Sequence, residues 1–185
     1  MTVHDGPGPG RTLRLSPRHS EILLLLAWSP AGLSGDELAA LLYEDGNADS
    51  TLRAEMNRLK HLLGGELLAS RPYRLLATLA GDWLSVEAML ASGDVAGAMR
   101  AYRGPVLPRS AAPGVVRIRD EVETALRSAV LEHRSADLMA QWTRSTWGSD
   151  DYEMWLAQRL VVGAGSPLLP LINGQISRLD DELGT

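Results

Sequence analysis

The stretch from Ser50 to Leu76 limits the fold more than any other part of the sequence. Leu52, Met56, Leu59 and Leu63 recur at spacings of 4, 3 and 4, so at about 100° per residue they fall on one narrow apolar stripe of a helix. A stripe that narrow leaves most of the helix to solvent or to a ligand. Opposite it lie Ser50, Ala54, Asn57 and His61, with Arg53 and Lys60 on one flank and Thr51 and Arg58 on the other. Gly64-Gly65 stops the helix, and two short runs, Leu67 to Ser70 and Tyr73 to Leu76, meet at Arg71-Pro72 as a hairpin. Arg53, Arg58, Lys60, Arg71 and Arg74 stand against only Glu55 and Glu66 here, a local charge of +3. An anion would bind on this stretch.

Two shorter helices are expected upstream. Ser16-Pro17 supplies an N-cap and a proline at the first helical position, and Ile22, Leu23, Leu25 and Leu26 fill the buried side behind them. That helix ends at Ser29-Pro30-Ala31-Gly32. Ser34-Gly35-Asp36-Glu37 then reads as a capping box, with Leu38, Leu41 and Leu42 as the apolar face. Asp5 to Gly10 is rich in glycine and proline and has no core to join, so residues 1–11 read as a disordered tail, with order beginning near Thr12.

Three helices and a hairpin in this order resemble a winged helix-turn-helix of the OmpR/PhoB type. The resemblance is carried by Leu15-Ser16-Pro17-Arg18, Gly32-Leu33-Ser34, Leu41-Leu42-Tyr43, Thr51-Leu52-Arg53, Arg58-Leu59-Lys60 and Tyr73-Arg74-Leu75. Two departures stand beside it: the N-terminal antiparallel sheet usual in that family has almost no room before Ser16, and Pro72 stands where the wing commonly has glycine. Further on, Asp94 to Tyr102 followed by Arg103-Gly104-Pro105-Val106-Leu107-Pro108 resembles the start of the helical activator domain of SARP-like regulators. The combination is similar to the C-terminal part of GAF-domain transcriptional regulators, which implies a fragment lacking its sensor.

The second half reads as helical throughout. Ser85 to Ala91 and Asp94 to Tyr102, separated by Ser92-Gly93, suit a helical hairpin of the tetratricopeptide type, although no full repeat of about 34 residues is visible. A long amphipathic stretch is expected from about Gly114 to Arg144, another helix from Asp150 to Val162, and a last one capped by Ser166-Pro167. In that last helix Leu168, Ile172, Ile176, Leu179 and Leu183 form a stripe that suits core packing better than a dimer seam. The fold class expected is therefore mainly α: a winged helix-turn-helix over 12–78, then an all-α, TPR-like domain over 79–185. A cut after Leu79 is expected to leave a folded unit.

Composition closes off several functions. Without cysteine there is no thiolate for a zinc finger, an iron–sulfur cluster or a cysteine nucleophile. The four histidines, His4, His19, His61 and His133, are scattered without metal-ligand spacing. Gly163-Ala164-Gly165-Ser166 has leucine at 168 where a dinucleotide loop needs its third glycine, and it reads as a linker. Asp150-Asp151-Glu153 and Asp180-Asp181-Glu182 read as solvated faces, the first also offsetting a helix macrodipole. No catalytic residue, metal or cofactor is expected. The longest aliphatic run, Ile22 to Ala27, is too short to span a bilayer, and the N-terminus has no signal-peptide pattern. A cytoplasmic, membrane-free protein is the expectation.

These observations lead to a sequence-specific regulator of transcription bound to double-stranded DNA. Thr51, Arg53, Asn57, Arg58, Lys60 and His61 are the candidate contacts on the third helix, and Arg71, Tyr73 and Arg74 those on the wing. Asn57 suits bidentate pairing with adenine and Arg58 with guanine, while the wing arginines suit phosphates. The resemblance further implies RNA polymerase as a partner of the loop Glu44 to Asp49. A homodimer through residues 79–185 is expected from the Leu168 to Leu183 stripe and from Trp142, Trp147 and Trp155. The net charge of −5 supports a rival, a protein-interaction adaptor whose winged helix has lost DNA binding.

Overall fold

The computed structural model describes residues 2–3, 11–44 and 49–184, and these divide into two compact units. One contains Met1–Leu79 and Val106–Asp120, the other Ala80–Pro105 and Glu121–Thr185.

In the first unit, β1 (Thr2–Val3) pairs antiparallel with β2 (Arg11–Thr12), Thr2 opposite Thr12 and Val3 opposite Arg11. The ends of the supposed tail are therefore paired strands, and a small antiparallel sheet does precede Ser16. Asp5 to Gly10, read as disordered, lies outside the described residues. Helix α1 (Pro17–Trp28) starts where Ser16 accepts a hydrogen bond from the backbone N–H of His19. Ile22, Leu23, Leu24, Leu25 and Leu26 are all buried, so this part of α1 is enclosed on every side and not on one face alone. Helix α2 (Gly35–Leu42) opens on the capping box, Glu37 N–H donating to Ser34 Oγ and Ser34 N–H to Glu37 Oε2. In α3 (Asp49–Leu63), Leu52, Met56, Leu59 and Leu63 are buried as the spacing predicts. Strands β3 (Leu68–Ser70) and β4 (Tyr73–Leu75) form a two-stranded hairpin around Arg71-Pro72, with Ala69 opposite Arg74.

A third backbone segment joins that hairpin. Leu33, between α1 and α2, exchanges both hydrogen bonds with Tyr73, at 2.9 and 2.8 Å. The approach is possible because residue 32 is glycine: it sits at φ +89°, and a Cβ there would lie 2.9 Å from Pro72 Cγ and 3.0 Å from the Tyr73 carbonyl oxygen.

Val106–Asp120 is packed into this unit and not with the later helices, so the boundary expected at 78–79 does not separate two contiguous domains. Val115 and Ile118, in the first turns of α6 (Pro113–His133), are fully buried. Gly114 lies so close to α1 and α2 that a Cβ would stand 2.7 Å from Leu25 Cδ2 and 2.9 Å from Leu41 Cβ. Arg119 secures the preceding loop by donating to the carbonyls of Val106, Leu107 and Ser110.

The second unit is helical among the described residues. Helices α4 (Asp82–Ala91) and α5 (Val95–Ala101) pack together across Ser92–Asp94, with Asp94 capping α5. The long helix expected to reach Arg144 breaks at Arg134, which takes φ +52°. The next helix, α7 (Ala136–Thr143), starts afresh with Ser135 as its N-cap. Asp151 caps α8 (Tyr152–Val161). It also accepts two hydrogen bonds from Arg127, at 2.6 and 2.7 Å, and one from Trp142 Nε1. That carboxylate is half-buried and paired, not part of a solvated face, and the hydrogen bonds that Arg127 donates to it raise the Arg127 pKa above its ordinary value. Helix α9 (Leu169–Leu183) begins after Ser166-Pro167, with Pro170 in its first turn. Ile172, Ile176 and Leu179 form a core with Trp155, so this part of the stripe is interior. Trp142 is buried too, and Trp147 stacks edge-on against Tyr102 with centroids 5.4 Å apart. The surfaces on which a dimer was expected are thus mostly spent within the unit.

Candidate nucleic-acid interface

Burial of its apolar stripe fixes which way α3 faces. With Leu52, Met56, Leu59 and Leu63 turned into the unit, Thr51, Arg53, Asn57, Arg58 and His61 are all exposed on the remaining surface. Lys60 is half-buried, and its Nζ reaches Ser70 Oγ at 3.4 Å, a long contact from the end of α3 to β3. On the hairpin, Arg71 and Arg74 are exposed. Six of the nine candidate residues thus lie on α3 and three on the hairpin beside it, within one unit.

Tyr73 and Arg58 are engaged by neighbouring residues, as Lys60 is by Ser70. Tyr73 is half-buried: its backbone is bonded to Leu33, and its ring passes within 3.9 Å of where a Cβ on Gly35 would be. It supports the hairpin more than it presents a surface. Arg58 is exposed but paired, its Nη1 donating to Glu55 Oε1 at 2.6 Å. Glu55 in turn lies beside His19 of α1, Oε2 to Nε2 3.1 Å, close enough for a charge contact but without hydrogen-bond alignment. An i,i+3 acid–arginine pair is visible in sequence as Glu55 and Arg58. His19 had no such signal, because it comes from another helix.

The surface can bind anions through guanidinium groups and offer amide, hydroxyl and imidazole groups to base edges. Among the described residues, no three His, Asp or Glu side chains gather where they could hold a metal ion. No helix among them is long and apolar enough to cross a membrane. The loop Glu44 to Asp49, the expected polymerase contact, falls largely outside the described residues.

Residues 135–185, which include α7, α8 and α9, match the family described as "YTH3-like protein, third C-terminal helical domain". No OmpR/PhoB-type or SARP-like family matches. A Rhodococcus erythropolis protein described as "Uncharacterized 47.3 kDa protein in thcA 5'region" is 44% identical over 176 residues. The alignment covers 95% of this chain and 40% of that protein, so the chain spans two-fifths of its relative's length. No solved structure matches.

Proposed function

We propose that this chain is a sequence-specific, duplex-DNA-binding regulator of transcription, built as a winged helix with a TPR-like helical unit. One observation carries the reading: a helix that buries a narrow apolar stripe and exposes Thr51, Arg53, Asn57, Arg58 and His61, next to a hairpin that exposes Arg71 and Arg74. The Leu33–Tyr73 pairing supports it, since it ties the segment between α1 and α2 to the hairpin. In this arrangement α3 enters the major groove and the hairpin lies on the neighbouring backbone. The second unit, whose residues 80–105 and 121–185 carry 7 basic and 13 acidic side chains, serves signal coupling or self-association and not DNA contact. Among the described residues, Leu160 and Leu171 are large apolar side chains that it leaves exposed for that purpose.

The test is a gel shift against random duplexes at several salt concentrations. With about four or five phosphate contacts, log K falls against log salt with a slope of roughly −4. A flat response, or no binding at low salt, would point instead to the adaptor that the acidic net charge suggests.

A further inference from the structure

Glu55 is a half-buried acidic residue at the edge of a surface proposed to meet phosphate, and its environment suggests why it is there. Its side chain is only 18% exposed and uses its two oxygens in opposite directions. Oε2 lies 3.1 Å from Nε2 of buried His19 on α1, and Oε1 accepts the hydrogen bond from Arg58 Nη1. The Arg58 side chain is 68% exposed, and its Nε and Nη2 groups make no hydrogen bond among the described residues. From these contacts we infer that Glu55 is a positioning residue: it sets the Arg58 guanidinium on the open face of α3, so that the remaining N–H groups meet a guanine edge. The inference rests on the DNA-binding reading.

An arginine on an open helix surface samples many rotamers, and ordering it on binding costs affinity. A charge-assisted hydrogen bond made before binding removes part of that cost. His19 stands behind the carboxylate on a second helix, and with its side chain only 18% exposed Glu55 has little room to follow Arg58 away. A carboxylate here also repels DNA phosphates, so it weakens binding to any sequence while sharpening the contact made through Arg58. The two effects have opposite signs, which separates a positioning role from a merely structural one.

The full chain and its Glu55→Ala, Glu55→Gln, Arg58→Ala and Glu55→Ala/Arg58→Ala variants are titrated with two duplexes. One is selected from a random pool by the wild type and the other is its scrambled counterpart, with thermal unfolding measured in parallel. Glu55→Ala is expected to reduce the preference for the selected duplex by about tenfold. Its affinity for the scrambled duplex stays the same or rises. Glu55→Gln, which keeps the size and one accepting oxygen, loses less. In the Arg58→Ala background, removing Glu55 leaves the preference unchanged. The inference is overturned if both single Glu55 variants keep wild-type preference, or if the loss persists undiminished without Arg58. A wild type that selects no sequence would overturn the DNA-binding reading itself, a different result from one that selects and is indifferent to Glu55.

Discussion

Gly32 shows how one residue can control where the candidate surface lies. Its φ of +89° is costly for any side chain, and the space beside it is already filled by Pro72 and the Tyr73 carbonyl. Gly32→Ala should therefore destabilise the first unit by about 1–3 kcal/mol, measured by denaturant unfolding. An unchanged midpoint would mean that the hairpin does not need this close approach. On the candidate surface, if the proposed function holds, Asn57→Ala or Arg58→Ala should cost about 1–3 kcal/mol on a preferred duplex and relax its sequence. Arg71→Ala and Arg74→Ala should weaken all duplexes alike. If both pairs reduced selectivity equally, the division between helix and hairpin would be wrong. The exposed candidates were legible because a narrow stripe at spacings of 4, 3 and 4 dictates which side of a helix is left over. The pairing of Arg58 through Glu55 to His19 was only half legible, since sequence spacing reveals neighbours along one helix and not across two.

At the scale of elements, local signals fared well wherever the backbone itself is the partner. Ser16, the Ser34–Glu37 box and Gly64 mark helix ends in the sequence because each satisfies groups within a turn of itself. The break at Arg134 falls in Glu132 to Asp137, a stretch without a large apolar residue where the stripe of α6 lapses, and Ser135 marks the restart. The pairing of Asp151 is not legible in the sequence, because its partners, Arg127 and Trp142, are 24 and 9 residues away. The capping box makes a prediction about acid. Ser34 donates from its backbone N–H and its hydroxyl to Glu37, which holds the Glu37 carboxyl below its ordinary 4.5. A lowered carboxyl pKa adds stability at pH values above the unfolded-state value, and that stability is lost as pH falls through the folded-state value. The Glu37→Gln variant should therefore lose less stability than the wild type when unfolding is compared at neutral pH and well below 4.5. Because Glu37 is exposed, the difference should be small, and equal acid sensitivity in the two proteins would count against the box as a source of stability.

For the molecule as a whole, the governing fact is that the chain passes from one unit to the other three times, after Leu79, Pro105 and Asp120. Sequence could not reveal this, because α6 is one continuous helix whose first turns belong to the first unit and whose remainder belongs to the second. A chain cut after Leu79 keeps the candidate surface but loses Val115 and Ile118, both fully buried in the first unit, and the Ser110 hydroxyl bound to Glu21. Exposing what two such aliphatic side chains cover forfeits about 2 kcal/mol each, a large part of the 5–15 kcal/mol that typically holds a domain folded. The fragment 1–79 should therefore unfold at a lower temperature than the first unit of the intact chain and with poorer cooperativity. Gly114→Val in the intact chain tests the same packing without a cut, since its side chain must displace Leu25 or Leu41. Circular dichroism melts of the fragment, the variant and the wild type decide the matter. A fragment that melts as sharply and as late as the first unit of the wild type, together with a Gly114→Val chain of unchanged stability, would show that Val106–Asp120 is an accessory to that unit and not part of its core.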